Sequence, residues 1–285
     1  MFDLLMRISL LFLSACIFWS APLIASATPE VIDDVRIKAG FQKGLESLVQ
    51  EKKPTSLAEL NRQLSRSKTT IKVASEPASR KIPKDKIYER CKSSVLLVGR
   101  IYKCDKCTKW HVSSASGFAV TTDGVIATNY HVIEGKDGAA LGAMDFSGKT
   151  YFASEVLAAS KADDIALLKL EGATLTPLSL SQNTAPVGSS VHVISHPNGR
   201  YFTMTSGDIS RYYLSRNTRS PRVAITADYA KGSSGAPVID SKGSVVGVVS
   251  STNSIYYNKV KGQDQNLQMV IKSCIPVGAI KSLIE

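Results

Sequence analysis

Three residue types that together support acyl transfer stand at the edges of strand-like segments. His131 directly follows one such segment, the adjacent carboxylates Asp163 and Asp164 precede another, and Ser234 lies between glycines in the loop at residues 232–237. A serine hydroxyl is a poor nucleophile at neutral pH unless a base takes its proton. A histidine can be that base, and a buried carboxylate can fix its tautomer and stabilise its cation. The combination predicts nucleophilic catalysis at Ser234.

The glycines around Ser234 serve a second purpose in this interpretation. They allow the backbone to turn so that successive N–H groups point at one spot, which creates an oxyanion hole. Each donor of such a hole lowers the barrier to acyl transfer by roughly 3–4 kcal/mol.

A β-rich segment carries these residues. From residue 93 onward, short apolar and β-branched runs alternate with turn residues. The runs that favour strands are residues 94–101, 115–121, 124–127, 165–170, 190–195, 223–227, 244–250 and 267–271. Eight or more short strands without long helices between them predict an antiparallel barrel or sandwich, and about 200 residues suffice for two small barrels. Residues 276–284 are predicted to form a terminal helix.

The segment before residue 85 has a helical pattern. Apolar residues recur at near-helical spacing over residues 30–52, and Ser56 with Glu59 forms a capping box for a second helix through Leu64. Residues 67–84 are rich in Ser, Lys and Pro, as linkers are. Two short helices bury little alone, so we expect them to pack on the larger domain. A removable pro-segment and a simple stalk are the alternatives.

The charge of the chain is basic and uneven. The 285 residues are 44% hydrophobic and 21% charged, which excludes disordered, collagen-like and polytopic membrane proteins. The formal charge is +11, and residues 28–110 hold 19 basic and 10 acidic side chains. That segment has few aromatic residues and no nucleic-acid-binding motif, so we expect no nucleic-acid partner. We predict that this segment forms a solvated basic surface that contacts an anionic membrane or the cell wall.

The first 27 residues have the pattern of an export signal. An apolar run follows Arg7, and a small-x-small triplet at residues 25–27 suits cleavage before Thr28. The run is too short for a comfortable spanning helix. We therefore predict an exported, periplasmic or secreted protein. Lipidation at Cys16, within a lipobox-like LSAC sequence, and an uncleaved anchor are the alternatives.

Four further cysteines remain after that segment. An even number in an exported chain predicts disulfides, with Cys104 and Cys107 closing on each other and Cys91 left for Cys274, although spacing alone does not fix the pairing. The alternative is a structural zinc site from all four thiolates with His111 as a spare ligand. We expect disulfides and no metal.

Five segments resemble trypsin-like serine peptidases of the chymotrypsin fold, of the HtrA/Deg type. In the order of that family they are residues 128–135 (TNYHVIEG), 164–170 (DIALLKL), 194–199 (ISHPNG), 205–210 (TSGDIS) and 232–237 (GSSGAP). The resemblance implies a mainly β fold of two six-stranded antiparallel barrels with a short α-helical N-terminal extension. It divides the chain into a signal peptide at residues 1–27, the extension with its linker at 28–85 and the peptidase domain at 86–285.

The resemblance also assigns roles to the catalytic residues. It implies that His131 is the general base, Asp164 its orienting partner and Ser234 the nucleophile. Asp164 is preferred to Asp163 because the family's aspartate immediately precedes the Ile-Ala-Leu strand. The backbone N–H groups implied for the oxyanion hole are those of Gly232, Ser233 and Ser234.

Substrate binding is predicted around one pocket. Asp228 lies six residues before Ser234, where trypsin-like enzymes place the acid that binds Lys or Arg, although a structural role is the alternative. The strand at residues 249–252 is expected to pair with the substrate backbone. The predicted substrate-binding residues are Asp228, Tyr229, Ser250, Ser251 and Thr252.

The sequence departs from the HtrA pattern near the serine. Ser233 and Ala236-Pro237 replace the usual residues of Gly-Asn-Ser-Gly-Gly, and no PDZ domain is expected after the peptidase. We predict a cofactor-independent endopeptidase that cleaves unfolded or exposed protein segments through an acyl-enzyme, with a homo-oligomer, a trimer by resemblance, as its assembly. The alternatives are a catalytically silent peptide-binding module and a cell-envelope-binding protein whose basic segment is the working part.

Overall fold

The structure, a computed structural model, describes residues 30–51, 54–75, 80–104, 106–135 and 137–285. The predicted signal peptide at residues 1–27, with Cys16, lies outside these residues. Among the helices of the described residues, none is both long and apolar enough to cross a membrane.

The described residues form five α-helices and thirteen β-strands. The helices are α1 (Asp34–Glu51), α2 (Leu57–Gln63), α3 (Lys84–Cys91), α4 (Tyr130–Ile133) and α5 (Gly278–Lys281). The first seven strands are β1 (Val95–Lys103), β2 (Trp110–Val112), β3 (Ala115–Ala119), β4 (Val125–Thr128), β5 (Ala140–Met144), β6 (Thr150–Ser160) and β7 (Ile165–Leu170). The remaining six are β8 (Ser190–Ser195), β9 (Thr203–Leu214), β10 (Pro221–Ile225), β11 (Pro237–Asp240), β12 (Val245–Val260) and β13 (Gln263–Pro276).

The strands belong to two antiparallel sheets, as expected for a mainly β chymotrypsin-like fold. Strands β8 to β13 form a closed barrel in the order β10-β13-β12-β11-β8-β9. The first seven strands form a sheet in the order β2-β1-β3-β4-β7-β6-β5, and β1 also pairs with β5 from Leu97↔Met144 to Ile101↔Ala140. One apolar cluster joins the two sheets, because it contains Phe118 and Leu167 of the first and Ile194 and Val248 of the second.

Helices α1 and α2 pack on the outside of the first sheet. Phe41 and Leu45 of α1 are completely buried in a cluster with Leu97 and Phe152. The fully buried Leu60 of α2 joins the core of the same sheet. Burying such side chains contributes about 1.5–3 kcal/mol each, so the two helices dock on the domain instead of extending from it.

Ser56 caps the N-terminus of α2, as the sequence predicted. Its Oγ accepts a hydrogen bond from the Glu59 N–H at 3.1 Å. The reciprocal half of the capping box is replaced, because the Glu59 carboxylate accepts from Arg62 and Gln63 on the next turn. This pairing lowers the pKa of the exposed Glu59 carboxyl.

The structure has strands that sequence patterns did not predict. β2, β5, β6, β9 and β11 are additional, and β12 and β13 extend well beyond the predicted residues 244–250 and 267–271. The outer halves of β12 and β13 are exposed on both faces, so their sequence has no inward-facing apolar alternation. The predicted terminal helix at residues 276–284 is reduced to the single turn of α5.

Candidate active site

His131 and Asp164 meet at the end of the first sheet. His131 lies in the one-turn helix α4, which follows β4, and Asp164 immediately precedes β7, the neighbour of β4. The His131 Nδ1 atom lies 2.9 and 3.0 Å from the two carboxylate oxygens of Asp164, and the His131 backbone N–H donates to Oδ1 at 3.2 Å. Because Nδ1 faces the carboxylate, Nε2 is the ring atom left for proton transfer.

The backbone of Asp164 is held in a conformation that few residues adopt. Its φ of 63° lies in the left-handed region, which Asp tolerates better than most side chains. The buried Asn129 donates its Nδ2 to the Asp164 carbonyl at 3.0 Å, and Ser250 donates its hydroxyl to Oδ2 at 2.8 Å. These two contacts orient the carboxylate toward His131. Sequence reasoning missed Asn129, although it stands two residues before the histidine.

Arg100 supports the turn that carries His131. Its guanidinium donates to the Val132 carbonyl at 2.9 Å and to the Glu134 carbonyl. Gly135 follows with a φ of 133°, and a Cβ there would lie 2.4 Å from the Arg100 side chain. Nothing in the sequence pattern singled out Arg100.

The serine loop depends on two glycines in the left-handed region. Gly232 and Gly235 have φ values of 100° and 88°. A Cβ on Gly235 would lie 2.2 Å from the Ser116 carbonyl, and one on Gly232 would lie 2.4 Å from the His196 carbonyl. Ser116 also binds the loop, because its N–H donates to the Ser234 carbonyl at 2.8 Å.

Ser234 lines the same open cavity as His131. The cavity, of about 540 Å³, is also lined by Ser114, Lys231 and Gly232. The Ser234 hydroxyl donates to the Ser250 carbonyl at 3.4 Å, and not to the imidazole. Hydrogen bonds between catalytic groups are often long before substrate binds, so this contact is compatible with Ser234 as the predicted nucleophile.

The backbone N–H groups of the loop correct one sequence prediction. The Ser233 N–H donates to the Ala230 carbonyl at 3.0 Å, so it points into the loop and is not available to an oxyanion. The Ser233 side chain is buried and accepts from Ser195 at 3.0 Å. Within the described part of the chain, the N–H groups of Gly232 and Ser234 have no acceptor and are the remaining candidates.

A small pocket adjoins Ser234. Its volume is about 200 Å³. The residues that line it are Tyr229, Ala230, Lys231, Ser234, Val249, Ser250, Ser251 and Thr252. The Tyr229 hydroxyl lies 2.9 Å from both the Ser251 and Ser273 carbonyls, and burial raises the pKa of this phenol.

Asp228 is not one of the residues that line this pocket. Its carboxylate accepts from Lys272 Nζ at 2.6 Å, and its side chain is 82% exposed. The prediction that Asp228 binds a basic substrate side chain is therefore wrong, because its charge is compensated outside the pocket. Its carbonyl accepts from the Thr205 hydroxyl at 2.7 Å, in agreement with a structural role.

A larger cleft is also lined by His131. It has a volume of about 840 Å³ and is lined by Asp164 as well as by Arg211, Tyr213 and Arg216. The Arg211 guanidinium lies 4.9 Å from the centre of the Tyr213 ring. The basic sequence of residues 211–219 was the available signal for this cationic wall.

The structure contradicts the predicted disulfides. Cys91, Cys104, Cys107 and Cys274 are all free. Cys91 is buried in the cluster shared by both sheets and Cys274 inside the closed barrel, so they do not face each other. Burial raises the pKa of Cys91 to about 11 and that of Cys274 to about 12. Both are therefore neutral core thiols.

The two antiparallel sheets, one of them a closed barrel, define a mainly β, chymotrypsin-like fold. Residues 115–248 match the family model described as a trypsin-like peptidase domain. Over these residues the chain is similar to a trypsin-like peptidase domain, and it is also similar to DegP-like proteins.

Relatives match the chain over about half of its length. A probable periplasmic serine endoprotease DegP-like of Hahella chejuensis is 33% identical over 153 residues, 53% of this chain and 31% of that protein. The protease Do-like 5, chloroplastic, of Arabidopsis thaliana is 32% identical over 188 residues, 60% of this chain and 57% of that protein. The chain thus spans less than two thirds of the length of either relative.

A solved structure has a similar fold. The active form of the Rv3671c protease from M. tuberculosis aligns with a TM-score of 0.55 and 23% identity, covering 77% of this chain and 90% of the other. At this identity the similarity establishes the fold alone.

Proposed function

We propose that the chain is an exported serine endopeptidase that hydrolyses peptide bonds in unfolded or exposed protein segments through an acyl-enzyme. The observation that carries this proposal is the contact of His131 Nδ1 with both oxygens of Asp164, beside a cavity that His131 shares with Ser234. The relatives named as proteases support it. No cofactor enters the proposed reaction.

The proposed mechanism uses the residues of the site in order. Ser234 Oγ attacks the carbonyl carbon of the substrate while His131 Nε2 takes its proton, and the carboxylate of Asp164 stabilises the imidazolium. The N–H groups of Gly232 and Ser234 bind the developing oxyanion. The imidazolium then protonates the leaving amine, and water attacks the acyl-enzyme with His131 again as the base.

We propose that the substrate backbone pairs with β12 beside the small pocket. The pairing of β12 with β13 shifts in register between Val249 and Ser251, which leaves Ser250 as a bulge residue. The Ser250 carbonyl already accepts from the Ser234 hydroxyl, so it lies at the reacting centre. The small volume of the pocket favours a small side chain before the scissile bond.

We also make proposals about the cellular location of the protein, its oligomeric assembly and the presence of a second barrel. DegP-like relatives named periplasmic support export, and the resemblance suggests a homo-oligomer, with a trimer as its form. We further propose that the ring of pairings that includes β1–β5 is the first barrel of a two-barrel domain. Residues 28–85 would be an extension docked on that barrel, with a basic surface that contacts the cell envelope.

The test is hydrolysis of an unfolded protein by the purified full chain. We expect a reduced, alkylated protein to be cleaved and its folded form to resist, and we expect Ser234→Ala and His131→Ala to abolish cleavage. Ser282→Ala, which changes an exposed serine far from the cavity in sequence, is the control and retains activity. Cleavage that persists in Ser234→Ala would contradict the mechanism, whereas peptide binding without cleavage by the native chain would favour the silent-module alternative.

A further inference from the structure

Three metal-ligating side chains converge on the hairpin formed by β1 and β2. Cys104 follows the last residue of β1, Cys107 lies in the turn, and His111 is the middle residue of β2. His111 pairs with Tyr102 across the hairpin, which brings its ring back toward the cysteines. The fold therefore assembles the three groups from both strands and the turn.

The donor atoms form a nearly equilateral triangle. Cys104 Sγ lies 3.2 Å from Cys107 Sγ and 3.2 Å from His111 Nε2, and Cys107 Sγ lies 3.0 Å from His111 Nε2. An ion at the roughly 2.0–2.3 Å required by Zn–N and Zn–S bonds can contact all three atoms from one side of this triangle. A metal ion placed there would keep a fourth coordination position open for water or another ligand.

We propose that Cys104, Cys107 and His111 form a site for a zinc-like transition metal ion. The spacing Cys-x2-Cys with a histidine four residues on is that of zinc ligands in proteins. Two thiolates with one imidazole favour Zn²⁺ over Mg²⁺ or Ca²⁺, which prefer oxygen ligands. The sequence alternative of four thiolates is not assembled, because Cys91 and Cys274 are buried in other parts of the core.

The position of the His111 imidazole close to both sulfur atoms favours a metal site over a disulfide. A bond between Cys104 and Cys107 needs only the two sulfur atoms, which here are free and 3.2 Å apart. A third donor equally close to both sulfurs serves a metal ion but not a disulfide. The site is accessible, because Cys107 is exposed and the other two ligands are half-buried.

The site lies on a hairpin that borders the candidate active site. Tyr102 of β1, together with Ser113 and Ser114 after β2, lines the cavity of His131 and Ser234. A metal ion that joins the turn to both strands would reduce opening of the hairpin. We therefore expect metal binding to slow amide hydrogen exchange in the residues around the site, 102–112.

The test measures metal binding by the reduced full chain, with Zn²⁺ and Co²⁺ as probes. We expect one equivalent of Zn²⁺ per chain in competition with a chromophoric chelator. Bound Co²⁺ should give a thiolate-to-metal charge-transfer band in the near ultraviolet, which Zn²⁺ removes. Neither readout depends on peptidase activity, so a failure of the proposed function would not affect them.

Variants of the hairpin decide the assignment. Cys104→Ser, Cys107→Ser and His111→Ala should each weaken Zn²⁺ binding by more than the roughly 10–100-fold that loss of an outer-shell partner costs. Lys106→Ala, in the same turn, should leave binding unchanged. The proposal is overturned if the reduced chain binds no Zn²⁺, if His111→Ala binds it as tightly as the native chain, or if Co²⁺ binds without the charge-transfer band.

Discussion

Protonation of His196 is expected to destabilise the fold below neutral pH. His196 is completely buried, and burial lowers its pKa from 6.5 to about 4. Its Nδ1 accepts a hydrogen bond from the Phe202 N–H at 3.1 Å, which a protonated ring loses. Its carbonyl lies against Gly232 of the serine loop, so a movement of His196 would also disturb the proposed oxyanion hole.

The sign and size of the effect follow from this pKa difference. Between the pKa of the folded state, about 4, and that of the unfolded chain, 6.5, the unfolded chain binds more protons, so stability falls as pH falls. The stability from the neutral ring is fully present above the unfolded pKa. The free energy of unfolding loses about 2 kcal/mol from this residue by about pH 5, and about 3 kcal/mol once the pH passes below 4.

The assay is urea unfolding of the native chain and of His196→Gln between about pH 7.5 and pH 5. The native chain should lose about 2 kcal/mol more than the variant over this range, because glutamine does not titrate. His192→Gln is the comparison variant and should flatten the profile less than His196→Gln, because His192 is less completely buried. Burial also lowers the pKa of His192, which hydrogen-bonds Ser206 at 2.9 Å but lies farther from the serine loop in the sequence.

Parallel stability profiles for the native chain and His196→Gln would refute this reasoning. They would mean that the His196 ring accepts a proton in the folded state without cost. A profile that becomes steeper in His196→Gln would contradict the sign of the effect.

Three further predictions concern the candidate active site. Gly235→Ala should abolish proteolysis while the chain remains folded by circular dichroism, because its Cβ would meet the Ser116 carbonyl at 2.2 Å. Ser250→Ala should lower kcat with little change in KM and Ser250→Thr should restore it, because the hydroxyl holds the Asp164 carboxylate at 2.8 Å. Asp228→Asn should leave side-chain preference unchanged in a peptide library, because this carboxylate is paired outside the small pocket. Proteolysis by a folded Gly235→Ala variant would contradict the role given to this glycine. An unaltered kcat in Ser250→Ala would contradict the role of its hydroxyl. The loss of a preference for basic side chains in Asp228→Asn would contradict the placement of Asp228 outside the pocket.

The sequence predicted the parts of the site that depend on local chemistry. We could infer that His131, Asp164 and Ser234 lie close together, because each stands near the end of a strand and acyl transfer needs all three. Their packing was not predictable from those motifs. Asn129, Arg100 and the hydroxyl of Ser250 act through contacts between distant segments.

The wrong predictions have a common physical cause. Asp228 was placed by its distance along the chain from Ser234, but its direction is set by the pairing with Lys272 of β13. Ser233 was included with its neighbours, although the turn directs its N–H to the Ala230 carbonyl. In both cases the separation from Ser234 along the chain was known from the sequence, but the direction in which the carboxylate or the N–H points was not.

The cysteines illustrate the same limit at longer range. Their even number suggested two disulfides, but Cys91 and Cys274 lie in separate apolar clusters. The approach of His111 to Cys104 and Cys107 depends on the register of β1 and β2, which a three-residue strand does not reveal in sequence.

The most direct test of the central claim is covalent labelling of the full chain by a fluorophosphonate, read by intact mass and peptide mapping. We predict a single adduct on Ser234, absent in His131→Ala and strongly slowed in Asp164→Asn, because the hydroxyl reacts only when the imidazole takes its proton. An adduct that forms equally in His131→Ala, or no adduct on Ser234 of the folded chain, would contradict the proposed nucleophile and its base.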